Sequence, residues 1–233
     1  MNSLLLCAPA LVLTLAAQEL PAQLQATLRL PADEVRGLQA ELAAADVPAA
    51  RRTYFEALTA YALVSQLRGQ QAAAMEALLD RTLKALEASA DPESMVLAGA
   101  CLGLKLGFQP QLGMTLAPKA SGLFAKALEL APGNPRALLF QGINVLHTPA
   151  FFGGGAGKAI PILEAAAKAA GTEAAPKDPW APAWGKAETQ AWLALALAQG
   201  GRLAEAREHC AKALALDPQY GFARLVVLPK LAQ

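Results

Sequence analysis

The chain has 233 residues, and its 20 Lys plus Arg against 19 Asp plus Glu leave a formal net charge of +1. That balance excludes a basic nucleic-acid reader and an acidic tail as the main business of the protein. Hydrophobic residues reach 55% but aromatics only 6%; the surplus is Ala and Leu, which favours helices, while scarce Val and Ile argue against a β-sandwich. Beyond the N-terminus no uncharged apolar run reaches the roughly 18 residues of a membrane span, which excludes a multi-span membrane protein.

The first element is an apolar block from Leu4 to Ala17, ending at small residues before the polar Gln18-Glu19. It is shorter than the ~20 residues that cross a bilayer as a helix. Its length and exit predict a secretory signal over 1–17, cleaved near Ala17, although the usual n-region Lys or Arg is absent. The chain is therefore expected to be periplasmic or otherwise exported, with no stable membrane insertion once the signal is removed. The alternative is an apolar helix that folds onto the rest. Removal of the signal leaves Cys101 and Cys210, far apart in apolar helical patterns, which read as small buried hydrophobes rather than as a disulfide.

A partly helical segment, 18–50, precedes a helical domain over 51–233. Arg51 to Leu67 and Gln70 to Glu87 form the first pair, broken at Arg68-Gly69. Asp91-Pro92 supplies an N-cap followed by Pro at the first helical position, and Asn134-Pro135 repeats the device. The helices so started fade near Gly107 and His147. Between them a helix runs from about Pro118 to Leu130, and another follows from about Lys158 to Ala170. A Pro-rich loop covers Thr172 to Pro182. Gln190 to Gln199 and Leu203 to Leu216 form the last pair, and Tyr220 to Leu231 reads as a closing helix.

Paired helices at this spacing call for a search for repeats. A slide of 39 residues superposes Gly103 on Gly142, Pro110 on Pro149, Lys119 on Lys158, Ala120 on Ala159, Leu123 on Ile162 and Ala127 on Ala166. The plainest unit is GGRLAEAREHCAKALALDP, with Ala206, Cys210, Ala213 and Pro218 at small, large, small and terminating positions; KASGLFAKALELAP matches with Ala120, Phe124, Ala127 and Pro132. Spacings of four and three place these residues on one helix face, where small and large side chains alternate and helices pack closely. These units resemble the tetratricopeptide repeat (TPR), a helix-turn-helix motif of about 34 residues. The resemblance covers roughly Asp91 to Leu231; the middle units carry a longer inter-helix loop, and the first pair matches by helical period and by Thr82 to Leu86. The expected fold is all-α, an α-solenoid of stacked antiparallel helix pairs, about four pairs plus a C-terminal end helix.

No constellation asks for catalysis, a cofactor or a metal. Gly153 to Lys158 fails as a phosphate loop because Phe152 takes the first Gly position and Ala159 the hydroxyl position. The glycines instead suit a loop crossing closely over helices, with Phe151 or Phe152 tucked beneath it. His147 and His209 are the only histidines, too few for a typical zinc site. Neither has a nucleophile setting beside it, and His147 reads as an end charge on its helix. Trp180, Trp184 and Trp192 gather around the Pro-rich loop, as a binding platform or as staples holding that loop down.

In the repeat family, the first helix of each pair lines the concave surface. By that resemblance the partner-binding groove is Arg136, Leu139, Ile143, Leu146 and Leu195, an apolar list with one cation. It implies a non-catalytic scaffold or adaptor whose protein partner presents an apolar or amphipathic segment, unless the chain's own N-terminal region fills the groove. The second expectation is an exported solute-binding accessory, its ligand pocket formed by Phe151, Phe152, Gly153, Gly154, Gly155 and Trp184.

Overall fold

The computed structural model describes residues 19–232, so the signal expected over 1–17 lies outside the described residues. Among the described residues there is no strand, and no helix is long and apolar enough to cross a membrane. The helices are α1 (Ala32–Ala44), α2 (Ala49–Leu67), α3 (Ala72–Leu86), α4 (Pro92–Phe108), α5 (Gly113–Leu130), α6 (Pro135–His147), α7 (Ala156–Thr172), α8 (Lys186–Gln199) and α9 (Leu203–Leu216). A short helix over 19–24 and the 3-10 turn Thr27–Arg29 precede them.

The chain is an all-α solenoid. Helices α2 to α9 form four antiparallel pairs; α2, α4, α6 and α8 touch in series along the inside, and each outer helix leans on the next inner one. The predicted small-large-small face explains the pairing. Ala120, Phe124 and Ala127 on α5, Ala159, Leu163 and Ala166 on α7, and Ala206, Cys210 and Ala213 on α9 are all buried. The first pair obeys the same spacing with Met75, Leu79 and Thr82 on α3. In the two middle pairs the large residue meets a glycine where helices cross: a Cβ on Gly99 would sit 2.5 Å from Phe124, and one on Gly142 would sit 2.6 Å from Leu163. Burying such residues stabilises each pair only against its neighbour, as stacked repeats require.

Three expectations about the elements change. Helix α4 has 17 residues and α6 has 13, so the slide of 39 holds for the outer helices only; Gly99, not Gly103, plays the part of Gly142. Helix α5 starts at Gly113 and runs through Pro118. As its sixth residue Pro118 has no N–H to give the Met114 carbonyl, a loss that water can replace at an exposed residue. The end helix is not regular: Ala223–Val227 is a π turn and Leu228–Leu231 a 3-10 turn, because Pro229 cannot bond back to Leu225.

Candidate functional site

The inner helices run parallel, so the solenoid has an end where they start and an end where they finish. The starting end is closed by side chains apart from a depression of about 190 Å³ lined by Gln25, Arg29, Trp184, Glu188 and Leu216 among others. Asp91 caps α4 through Ser94 N at 3.0 Å, and the Asn134 side chain caps α6 through Arg136 N and Ala137 N at 2.9 Å. Arg136 then spans the end: Nε donates to Glu93 at 2.9 Å, Nη2 to Glu173 at 2.6 Å, and Nη1 to the Trp184 carbonyl at 3.0 Å. The Trp184 indole donates to the Tyr54 hydroxyl at 2.8 Å, joining α8's entry to α2 across most of the chain. The N-terminal segment closes over this end, with Gln25 bonded to both Ala181 and Ala183, and Arg29 paired with Glu188 at 3.2 Å and Asp217 at 3.4 Å.

These groups are electrostatically costly where they sit. Burial pushes the Glu93 carboxyl up against the opposing pull of Arg136, and burial also raises Glu188 despite Arg29 beside it. The Arg29–Glu188 pair is close, but its geometry leaves Arg29 Nε and Glu188 Oε1 without a hydrogen bond.

The predicted groove is therefore mostly not a surface. Arg136, expected to meet a partner, is 4% exposed and its guanidinium is taken by Glu93, Glu173 and the Trp184 carbonyl. Leu139, Leu146 and Leu195 are buried in the core. The solenoid winds tightly enough that α2 fills its concavity, with Tyr61 edge-on to Phe140 at 5.3 Å and Phe55 edge-on to Trp180 at 6.3 Å. Of the five groove residues only Ile143 stays half-exposed.

The expected glycine-loop pocket is not assembled either. Trp184 is 3% exposed at the closed end, packed on Phe140 at 6.0 Å. The loop follows the opposite end of α6, 13 residues away, or about 20 Å at 1.5 Å per residue. Phe151 and Phe152 do not tuck under the loop; they are 92% and 62% exposed and meet edge-to-face at 5.3 Å. The loop backbone itself occupies the space below. Gly155 N bonds Val145 O at 2.8 Å, a Cβ on Gly154 would lie 2.1 Å from the Thr148 carbonyl oxygen, and Gly153 and Gly155 hold φ of 84° and 95°.

Midway along α8, an aromatic cluster stays half-exposed. Trp192 of α8 stacks on Phe222 at 4.5 Å with planes 30° apart, and His147 at the end of α6 meets the Trp192 ring edge-on at 5.7 Å. Trp192, Phe222, Tyr61 and Ile143 are half-buried and His147 is exposed. Arg68, at the end of α2, borders the same region: its charge acts on both His147 and Tyr61. Its guanidinium lies over Gly107, where a Cβ would come within 2.8 Å of Nη1. A depression of about 530 Å³ is lined by Arg68, Gly69, Ala72, Gly107 and Phe108. Although the residue as a whole is exposed, its ring is partly desolvated, and that and the Arg68 charge both lower the His147 pKa, against the end charge its position suggested.

No family model and no curated protein sequence matches the chain. Solved structures do. The HusA haemophore from Porphyromonas gingivalis is 27% identical, with a TM-score of 0.58 over 78% of this chain and 92% of its own. TTC0263, a thermophilic TPR protein of Thermus thermophilus, is 16% identical, with a TM-score of 0.55 over 87% of this chain and 100% of its own. The second likeness speaks for the fold alone, a helical-repeat scaffold.

Proposed function

We propose that this chain is a non-catalytic, exported helical-repeat binding protein that carries a planar, largely apolar ligand of the tetrapyrrole class, haem foremost, on the half-exposed aromatic cluster of Trp192 and Phe222. The observation that carries the reading is the Trp192–Phe222 stack, half-buried with His147 at its edge. A flat π-face of this kind binds flat π-systems by offset stacking, and apolar walls with a few polar groups suit a small-molecule site. The likeness to a protein described as a haemophore directs the ligand toward haem. This is the solute-binding expectation moved from the glycine loop to the rings of Trp192 on α8 and Phe222 after α9.

Titration of the full-length protein with haem and with metal-free protoporphyrin tests it. Saturable binding of at least one, with a shifted Soret band, is expected, and Trp192→Ala should weaken it about tenfold, the equivalent of about 1.4 kcal/mol. Absence of saturable binding, or binding indifferent to Trp192, would sink the reading. Export is checked by the mass of the protein recovered from the cell envelope, which should begin at Gln18.

The adaptor reading keeps one specific support, the exposure of Phe151 and Phe152 on their inter-helix loop and of Met114 in the first turn of α5. Apolar residues presented together on loops suit an apolar or amphipathic segment of a protein partner.

A further inference from the structure

We propose that the depression at the starting end of the inner helices is a second binding site, built for a small apolar α-amino acid whose ammonium is held by Glu188 and whose carboxylate is held by Arg29 and the first turn of α8. It is independent of the tetrapyrrole reading above and uses none of the residues that carry it.

The two orphaned polar atoms of the closed end belong to side chains that line this depression. Glu188 is 2% exposed. Its Oε2 accepts from Gly185 N at 3.1 Å, which closes the first turn of α8, but its Oε1 has no donor. Arg29 Nε lies 3.2 Å from that oxygen in a geometry that makes no hydrogen bond, and it has no other acceptor. A buried acceptor and a buried donor left open side by side each cost stability. Together they are a matched set for a ligand: an anion that lacks a donor beside a cation that lacks an acceptor. Arg29 is the partner that can turn to admit one, because its side chain is 23% exposed and its Nη1 contact with Asp217 is a loose 3.4 Å.

The surroundings assign the two charges of the ligand. Lys186 lines the same depression, exposed and with no ion pair among the described residues. The opening turn of α8, Gly185 to Glu188, also lines it, and the first amides of a helix have no intrahelical acceptor. Helix amides, an ammonium and a guanidinium on one side favour a carboxylate. The open Glu188 oxygen favours an ammonium, and an α-amino acid carries both groups on one carbon. Ala183, Ala187 and Leu216 supply an apolar wall for its side chain. The space, about 190 Å³, is below the roughly 300–1,000 Å³ of sites that take drug-sized ligands, so the occupant is small. A plain carboxylic acid leaves Glu188 Oε1 without a donor, and a plain amine leaves Arg29, Lys186 and the helix amides unanswered.

Calorimetric titration of the full chain with L-leucine, with its decarboxylated amine 3-methylbutylamine and with its deaminated acid 4-methylpentanoate tests the assignment. L-Leucine should bind saturably, and the amine and the acid should each bind at least about tenfold more weakly, since each lacks one charge-assisted contact. The backbone amide resonances of Gly185 to Glu188 should shift as L-leucine is added. Glu188→Gln should weaken L-leucine about tenfold and leave the acid unchanged, while Arg29→Gln should weaken L-leucine about tenfold and leave the amine unchanged. Should either variant fail to fold, the three ligands on the parent still decide. Acid binding as tightly as L-leucine overturns the role of Glu188, and amine binding as tightly overturns that of the cations. Shifts confined to other amides, or no saturable binding at millimolar L-leucine, overturn the site and leave its orphaned atoms to water. None of these outcomes bears on the porphyrin titration, so the two sites stand or fall separately.

Discussion

The starting end of the inner helices and the aromatic cluster on α8 are built on the same repeat and solve opposite problems. At the starting end, helix N-termini expose unpaired N–H groups and the chain answers with caps, a spanning arginine and an indole-to-phenol bond. Around Trp192, midway along α8, the chain leaves aromatic rings half-buried, with a histidine and an arginine nearby that have no hydrogen-bond or ion-pair partner among the described residues. The closed end joins the first inner helix to the entry of the last one and so sets the curvature of the solenoid.

The contrast predicts that damage at the closed end appears as lost stability. The largest effect should come from Arg136→Ala, which strands Glu93 and Glu173 without their cation at a buried site. A loss of about 3–5 kcal/mol is expected, read as a lower urea midpoint. A shift of less than about 1 kcal/mol would mean that water reaches these carboxylates and that the end is not closed around them.

Trp184→Phe should cost less, about 1–3 kcal/mol, because it keeps an aromatic ring in place but orphans the Tyr54 hydroxyl. That hydroxyl is deeply buried, and burial raises its pKa. Adding Tyr54→Phe should recover part of the loss, since no polar atom then remains unpaired. A strictly additive double variant would show that the indole contributes by packing alone.

A third experiment reads the same end through pH. Because burial raises the Glu188 pKa above its ordinary 4.5, the folded state binds this proton more tightly than the unfolded state. Stability from this group is therefore full below about pH 4.5 and declines as pH rises through the raised value. Glu188→Gln should be least favourable relative to the parent at low pH and gain on it steadily toward neutral pH. Parallel stability profiles for the two proteins would show that Arg29 offsets the burial completely.

The fold was legible because its signals are local. Caps at Asp91 and Asn134 and the small-large-small face at Ala120, Phe124 and Ala127 depend on residues within one turn or one helix. The site was not legible, because it depends on curvature. Taken from the repeat register, Leu139, Leu146 and Leu195 belong on an open concave face, and they do lie on inner helices. What the register cannot contain is that Tyr54 reaches Trp184 and Tyr61 reaches Phe140, which winds α2 into the concavity and buries that face. The same closure turned Arg136 from a groove cation into an internal staple. Tyr61, Arg68 and Phe222, which lie at the cluster, carry no motif at all. The faint signal was a pair of residues read separately, His147 at one helix end and Trp192 two turns into another. Trp184 and Trp192 look alike in sequence, and only the long-range bond from the Trp184 indole divides staple from exposed face.

The smallest stability effect should be at the two residues that look most out of place. Phe151 and Phe152 touch each other and solvent, so replacing both with Ser removes no core contact. Surface substitutions of this kind stay within about 0.5 kcal/mol. The loop that presents them is held by Gly155 N on Val145 O and by the tight passage of Gly154 over Thr148, neither of which involves a phenyl ring. The double variant should therefore melt with the parent and bind porphyrin as the parent does, because the proposed cluster is made by Trp192, Phe222 and His147. What should change is recovery of protein partners from the envelope fraction. A porphyrin affinity that fell with these two rings would extend the cluster onto the loop and join the two readings into one site. Unchanged affinity with lost partner recovery would keep them as separate surfaces of the solenoid.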